Sequence, residues 1–269
     1  MGTVYAAEQN EPIQRTVAIK LIREHAQSRH LTARLEMERQ SLALMEHPNI
    51  ARFLDAGTTS SGQPFFAMEL VDGVPITDFC DAGERDISDR LNLLVPVCRA
   101  VQHAHQKGIL HRDLKPSNVL VTQYDGAATP KVIDFGIAKA IDQNSDGSKT
   151  MTQHGMLFGT LEYMSPEQAS GDSAKLDTRS DVYALGAILY EMLTGRPPII
   201  RDDFEDLTID EILQKIRTQD PVTPSKRLKA SETTGDLSET RRTDSSRLTA
   251  VARGELDWIV MKALEKDRT

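Results

Sequence analysis

The chain is poor in several features that would mark other classes of protein. It holds two cysteines, Cys80 and Cys98, in 269 residues. That is too few for a disulfide framework, and they lack metal-ligand spacing, so a reducing compartment is expected. No long hydrophobic run is present. The longest apolar stretch, Val182 to Leu189, is far below the roughly 18 residues that a membrane helix requires. No secretory or transit signal opens the sequence. A cytoplasmic segment with no membrane contact of its own is expected, with any anchor placed elsewhere in a longer parent protein. Positive charge is not in excess either: 32 Lys and Arg face 40 Asp and Glu, for a net charge of −8, which argues against a domain that as a whole binds nucleic acid or an anionic bilayer. There is no internal repeat.

What is present is ordinary globular composition, 39% hydrophobic and 27% charged, in a length that suits one large domain or two lobes. The N-terminal third alternates strand-like runs with polar turns. Gly2 to Ala7 and Arg15 to Ile22 read as a hairpin around Gln9-Asn10-Glu11-Pro12; Ile50 to Ala56 and Pro64 to Val71 read as two further strands around the turn from Gly57 to Gly62. Between the pairs, about Leu31 to Met45 has loosely helical spacing and ends at His47-Pro48, with Glu36 and Glu38 both on the helix. Downstream, Ser88 is a plausible N-cap for a helix with Leu91, Leu94, Val95, Cys98, Val101, Ala104 and His105 on its apolar face, kinked near Pro96. His103, His105 and His111 share no carboxylate at metal-ligand spacing, and hydrogen-bonded histidines are the better reading. Asp181 to Leu193 is apolar on nearly all sides, as a central helix would be, and Thr194-Gly195-Arg196-Pro197-Pro198 stops it. Further helices are expected near Ile209 to Thr218 and Leu256 to Leu264. Residues 223–250, rich in Ser, Thr, Arg and Lys, read as a flexible surface insertion.

The informative stretch runs from His111 to Gly136. It contains His111-Arg112-Asp113-Leu114-Lys115-Pro116-Ser117-Asn118, an apolar run, and Lys131-Val132-Ile133-Asp134-Phe135-Gly136. Two carboxylates, an ammonium and a carboxamide thus fall on two short loops separated by strand-like segments, a set suited to holding metal ions and phosphate against a hydroxyl nucleophile. Singly each is an ordinary loop charge. In this order, after the strand Val17-Ala18-Ile19-Lys20, they match the H-R-D-x-x-x-x-N, D-F-G and V-A-I-K patterns of protein kinases.

Over essentially its whole length the chain resembles a bacterial, eukaryotic-like (Hanks-type) serine/threonine protein kinase. The resemblance implies an α+β, two-lobe fold: an N-lobe over 1–71 with a small antiparallel sheet and one main helix, and a larger, mostly helical C-lobe over 72–269. It implies that Asp113 is the catalytic base and that Lys115 marks serine/threonine specificity and neutralises the γ-phosphate. Asn118 and Asp134 would hold Mg²⁺ (or Mn²⁺), and Lys20 would contact the α- and β-phosphates of ATP. Counted back from the His-Pro stop, Glu38 takes the place of the glutamate that pairs with this lysine. Gly2, Val4, Ala18, Met68, Glu69 and Val71 would surround the nucleotide, with the Glu69 carbonyl and Val71 backbone on the base. Asp181 would fix the backbone of the His-Arg-Asp loop. Gly159-Thr160 to Glu167 resembles the segment that binds the substrate peptide, with Ser165 in place of the alanine of A-P-E, and Thr160 would contact Asp113 and Lys115. The long polar segment from Ile137 to Ser165 holds Ser148, Thr150 and Thr152, where such kinases autophosphorylate; a phosphate there would pair with Arg112. Dimerisation for phosphorylation in trans is a corollary.

Two departures bear on activity. The chain begins at the last glycine of the G-x-G-x-x-G-x-V phosphate loop, keeping Gly2-Thr3-Val4, and the arginine that usually pairs with the A-P-E glutamate would fall just past Thr269. The domain is therefore expected to be clipped at both ends, and Glu167 to lack its ion-pair partner. The expected function is ATP-dependent phosphorylation of serine and threonine hydroxyls in protein substrates. The alternative is a catalytically impaired scaffold or fragment of the same fold.

Overall fold

A computed structural model of the chain describes residues 3–22, 45–124, 126–135, 161–172, 175–200, 207–231 and 250–267. The first lobe is a four-stranded antiparallel sheet of β1 (Thr3–Gln9), β2 (Arg15–Leu21), β3 (Phe53–Thr58) and β4 (Pro64–Glu69), in the order β1-β2-β4-β3. Directly opposed residues share a face of an antiparallel pair, and alternate residues of a strand return to it. The pairs Val4↔Lys20 and Ala18↔Met68 therefore bring Val4, Ala18, Lys20 and Met68 to one face of the sheet. The helix expected near Leu31 to Met45 lies outside the described residues, apart from its last residue, the buried Met45.

One strand boundary differs from the sequence reading. β3 begins only at Phe53, because Ile50 leaves the sheet and forms a parallel bridge with Val132. The β-branched signal there was real but serves two partners. Around this bridge the Val132 amide donates to the Asn49 carbonyl at 2.8 Å, the Ala51 amide to the Val132 carbonyl at 2.9 Å, and Asn49 Nδ2 to the Pro130 carbonyl at 2.7 Å. The segment after His47-Pro48 is thus docked on the second lobe.

That second lobe opens with β5 (Val74–Pro75), α1 (Ile76–Ala82) and α2 (Ile87–Gln106), followed by a 3-10 turn at Pro116–Asn118 and the hairpin β6 (Val119–Tyr124) and β7 (Ala127–Val132). Then come the one-turn helix α3 (Pro166–Ala169), α4 (Thr178–Thr194), α5 (Ile209–Thr218), α6 (Pro224–Ser231), the π-helical turn Ala252–Leu256 and α7 (Asp257–Ala263). Three sequence expectations are corrected here. The N-cap of α2 is Asp86, whose side chain accepts from the Asp89 amide at 2.8 Å, and not Ser88. The buried stripe of α2 is Ile87, Arg90, Leu93, Leu94, Val97, Ala100, Val101 and Ala104, with Val95 and Cys98 exposed. Apolar residues occupy both registers, and the true stripe was disguised because it contains an arginine. Finally, residues 224–231 within the stretch read as a flexible insertion form α6, whose Leu228 is 3% exposed and joins the main core.

Arg90 earns its place in that stripe through its guanidinium, which donates to the carbonyls of Arg85, Cys80 and Met192 at 2.8, 3.2 and 3.2 Å and so ties α1, α2 and α4 together. α4 is the axis of the lobe. Tyr183, Ala184, Ala187, Ile188, Tyr190, Met192 and Leu193 are all buried, and Gly195 ends the helix with φ 80°, its amide donating to the Glu191 carbonyl at 2.7 Å. Leu161, Ala169, Ile199, Ile212, Leu213 and Ile216 form a second, smaller core under α3 and α5.

α7 crosses α4 at Gly186, where a β-carbon would sit 2.7 Å from the Ala263 β-carbon. Gly186→Ala is expected to lower stability by about 1–3 kcal/mol through this overpacking, despite alanine's better helix propensity. Urea unfolding would measure it, and an unchanged or raised midpoint would show that α7 yields without cost.

Candidate active site

The site is assembled at the seam between the lobes. From the sheet, Lys20 on β2 is buried and its ammonium pairs with the Asp134 carboxylate on the loop after β7. Asp134 has φ 63°, a left-handed conformation uncommon for an aspartate. Facing it is the loop after α2. There Lys115 Nζ lies 3.2 Å from Asp113 Oδ2, and the buried Asn118 donates from Nδ2 to the Asp113 carbonyl at 2.7 Å and to Oδ2 at 3.3 Å. Because its amide nitrogen is turned to Asp113, the carboxamide keeps its oxygen as an acceptor.

The loop backbone is held from below by Asp181, which is 1% exposed in the first turn of α4. Asp181 Oδ2 accepts from the His111 amide and Oδ1 from the Arg112 amide, each at 2.8 Å, while His105 Nε2 lies 2.7 Å from Oδ2. Burial alone opposes ionisation of this carboxyl. The His105 bond and the two backbone amides outweigh it and hold the pKa below its ordinary value.

His111 is fully buried and binds both loops. Nε2 faces the Ile133 carbonyl at 3.0 Å, which can only accept, so this nitrogen carries the hydrogen; Nδ1 then accepts from the Asp113 amide at 3.3 Å. Burial pushes the imidazole below its usual pKa, in keeping with a neutral ring, and Phe135 packs beside it with centroids 4.7 Å apart. His103 packs against His47 instead. Among the described residues no group of three or more His, Cys, Asp or Glu side chains is placed to hold a metal ion. Asp134 and the Asn118 oxygen nevertheless fit a hard cation of the Mg²⁺ type, which takes one or two protein oxygens and completes its shell with water and phosphate.

At the hinge, Glu69 accepts from Lys131 Nζ at 2.7 Å and from the Arg52 amide at 3.0 Å, while its own amide donates to the Arg52 carbonyl at 2.8 Å. Met68 is half-buried on β4, and Val71 follows in the crossing to β5. Gly2, Glu38, Ser148, Thr150, Thr152 and Thr160 lie outside the described residues, as does Gly136.

The stretch from Leu161 to Ser170 holds contacts that the sequence did not reveal. Ser165, which stands in place of the alanine of A-P-E, is the N-cap of α3 in a capping box with Gln168. Glu167, expected to lack its ion-pair partner, is buried and accepts a hydrogen bond from Ser180 Oγ at 2.5 Å. Glu191 accepts from Tyr163 Oη at 2.5 Å; burial and the nearby Glu162, Asp81 and Asp78 push its carboxyl up to about 7. S-x-x-Q before a helix was a legible capping signal; the Ser180 contact had none.

The protein kinase domain family model matches residues 1–259. The serine/threonine-protein kinase PknB of Mycobacterium leprae is 39% identical over 220 residues, covering 80% of this chain and 33% of that protein. PknB of Mycolicibacterium smegmatis is 36% identical over 261 residues, covering 95% of this chain and 36% of that protein. The chain thus spans about a third of the length of these curated relatives. Among solved structures, a double mutant of the Mycobacterium tuberculosis PknI kinase domain matches with a TM-score of 0.62 at 26% identity, covering 99% of this chain and 83% of that one.

Asp181→Asn is expected to cost about 3 kcal/mol of stability at pH 7, since a buried charged acceptor of two amides is lost. Because the folded-state pKa lies below the ordinary 3.8, the contribution is complete above that value and declines as pH falls towards the folded pKa. Urea titrations of both proteins at decreasing pH would show the difference shrinking; a constant difference would mean the charge plays no part.

Proposed function

The chain belongs to the protein kinase family, and from that premise we propose that it is the catalytic domain of an ATP-dependent protein serine/threonine kinase. The reading rests on one observation above all: at the seam between the lobes Lys20 of β2 pairs with Asp134, while Asn118 and Lys115 lie on Asp113, on a loop whose backbone is fixed by the buried Asp181. The curated relatives named serine/threonine-protein kinase support the same reaction class.

In this reading the adenine lies against the face that holds Val4, Ala18 and Met68. The Glu69 amide is engaged by Arg52, so the Glu69 carbonyl and the Val71 backbone are the groups assigned to the base. Lys20 holds the α- and β-phosphates, in company with Glu38, and Gly2 approaches them from the sheet. Asn118 and Asp134 hold Mg²⁺ (or Mn²⁺), which when bound offsets the charge of the phosphates. Asp113 orients the serine or threonine hydroxyl and accepts its proton as the hydroxyl oxygen bonds to the γ-phosphorus and the bond from that phosphorus to the β,γ-bridging oxygen breaks, with ADP as the leaving group. Lys115, beside Asp113, screens the charge that develops on the transferred group, and Thr160 braces the two. Catalysis is then mostly positioning and charge neutralisation. Ser148, Thr150 and Thr152 are the proposed autophosphorylation sites, modified in trans between two copies, with Arg112 receiving the phosphate.

With radiolabelled ATP, Mg²⁺ and a generic protein substrate, the chain is expected to transfer label, and Asp113→Ala to lower kcat by about 10²–10⁴-fold while nucleotide binding persists. No transfer, from this chain or from one extended upstream, would overturn the catalytic reading in favour of a scaffold.

Mass spectrometry of the autophosphorylated protein is expected to place phosphate on Ser148, Thr150 or Thr152. Full activity with no phosphate between residues 137 and 165 would remove the regulatory part of the proposal.

A further inference from the structure

The peptide group that joins Arg112 to Asp113 is held at both of its polar atoms. Its N–H donates to His111 Nδ1 at 3.3 Å, and its carbonyl, that of Arg112, accepts from Gln168 Nε2 at 2.8 Å. Arg112 has φ 62°, a conformation with a cost for any residue bearing a β-carbon, and one that persists only where its surroundings fix it. Asp181 fixes the amide of that residue; Gln168 fixes its carbonyl. The side-chain amide of Gln168 is oriented without ambiguity, because its other end accepts from the Ser165 amide at 3.0 Å. A backbone N–H can only donate and a backbone C=O can only accept, so oxygen must face Ser165 and nitrogen must face Arg112.

We propose that Gln168 is a positioning residue for Asp113: it spans from the helix cap of the substrate-binding segment to the strained peptide just before the base, and sets the rotation of that peptide. The inference rests on the reading of Asp113 as the base. It makes the Gln168 side chain a link between α3 and the catalytic loop. Any residue that supplies only an acceptor satisfies the capping box, and S-x-x-E does so as well as S-x-x-Q. Only the amide also supplies the donor that Arg112 needs, so the two duties can be separated by substitution.

Gln168→Glu keeps the acceptor for the cap and removes the donor to Arg112. Ser165→Ala weakens the cap and leaves the donor. Backbone hydrogen–deuterium exchange over residues 111–115 is expected to rise several-fold in Gln168→Glu and to stay at the wild-type level in Ser165→Ala, which should instead show the lower melting temperature. In phosphoryl transfer, Gln168→Glu is expected to lower kcat about tenfold with KM for ATP unchanged. Should Gln168→Glu fail to fold, Gln168→Met, which approximates the volume and loses both bonds, takes its place in the exchange comparison with Ser165→Ala. Equal exchange over 111–115 in wild type and in the Gln168 variant would overturn the proposal. An inactive wild type that still shows the Gln168-dependent exchange would overturn the catalytic reading alone and leave the link between α3 and the loop standing.

Discussion

A carboxylate at the start of the central helix is the constraint on which the site depends. Asp181 is almost wholly buried, and an ion removed from water at such a place destabilises the fold unless its lone pairs are met. Here they are met by two successive backbone amides and an imidazole. Those amides belong to His111 and Arg112, immediately before Asp113, so the condition that allows the ion to be buried is the same one that fixes the loop. The helix it belongs to, α4, is buried on most of its sides and capped at its C-terminal end by a left-handed glycine. The reference frame for the loop is therefore a helix that is itself held on most of its sides.

The second loop and the sheet are referred to that frame by separate means. His111 bridges the Asp113 amide and the Ile133 carbonyl through a neutral ring. β7 is bound to the chain entering β3 by the Asn49, Ile50 and Ala51 contacts, and to the hinge by the Lys131–Glu69 pair. The Glu69 carboxyl is kept ionised in spite of partial burial, which opposes it, by the Lys131 bond and by the Arg52 amide. Lys20 then reaches Asp134 from a sheet whose base is already docked. An ion pair of this kind adds little net stability, because the cost of removing its groups from water offsets much of the attraction between them.

The residues of the proposed site were legible because Lys20, Asp113, Lys115, Asn118 and Asp134 stand in patterned stretches of the sequence, and in the structure Lys20 pairs with Asp134 while Lys115 and Asn118 lie on Asp113. The hold of Asp181 on the loop backbone was legible from its place at the start of the central helix. The strands, the central helix and the stop at Gly195 followed from periodicity and turn chemistry. What stayed hidden were groups whose role depends on long-range placement. Arg90 interrupts the apolar stripe of α2 because its partners are carbonyls on α1 and α4. Ser180 meets Glu167 across 13 residues. The contact of Gln168 with the Arg112 carbonyl spans 56 residues of sequence and leaves no mark in the local pattern. The helix over 224–231 was hidden because its polar composition conceals the one leucine it buries. In each case the local signal was weak because the partner is not local.

The two non-glycine residues with left-handed backbone on the facing loops, Arg112 at φ 62° and Asp134 at φ 63°, show how these constraints combine. Each such residue costs on the order of 1–3 kcal/mol and would relax if its neighbours permitted. Arg112 is held at its amide by Asp181 and at its carbonyl by Gln168, and Asp134 is held at its carboxylate by Lys20. His111 sits between them, bonded to the residue after the first and to the residue before the second. Its ring can serve both bonds only while neutral, since a second ring hydrogen would face the Asp113 amide in place of a lone pair. Burial of the ring, which disfavours the charged form, is thus part of the same device. It keeps one donor and one acceptor aimed at two strained loops, so that neither loop can relax without breaking a bond that also positions the other.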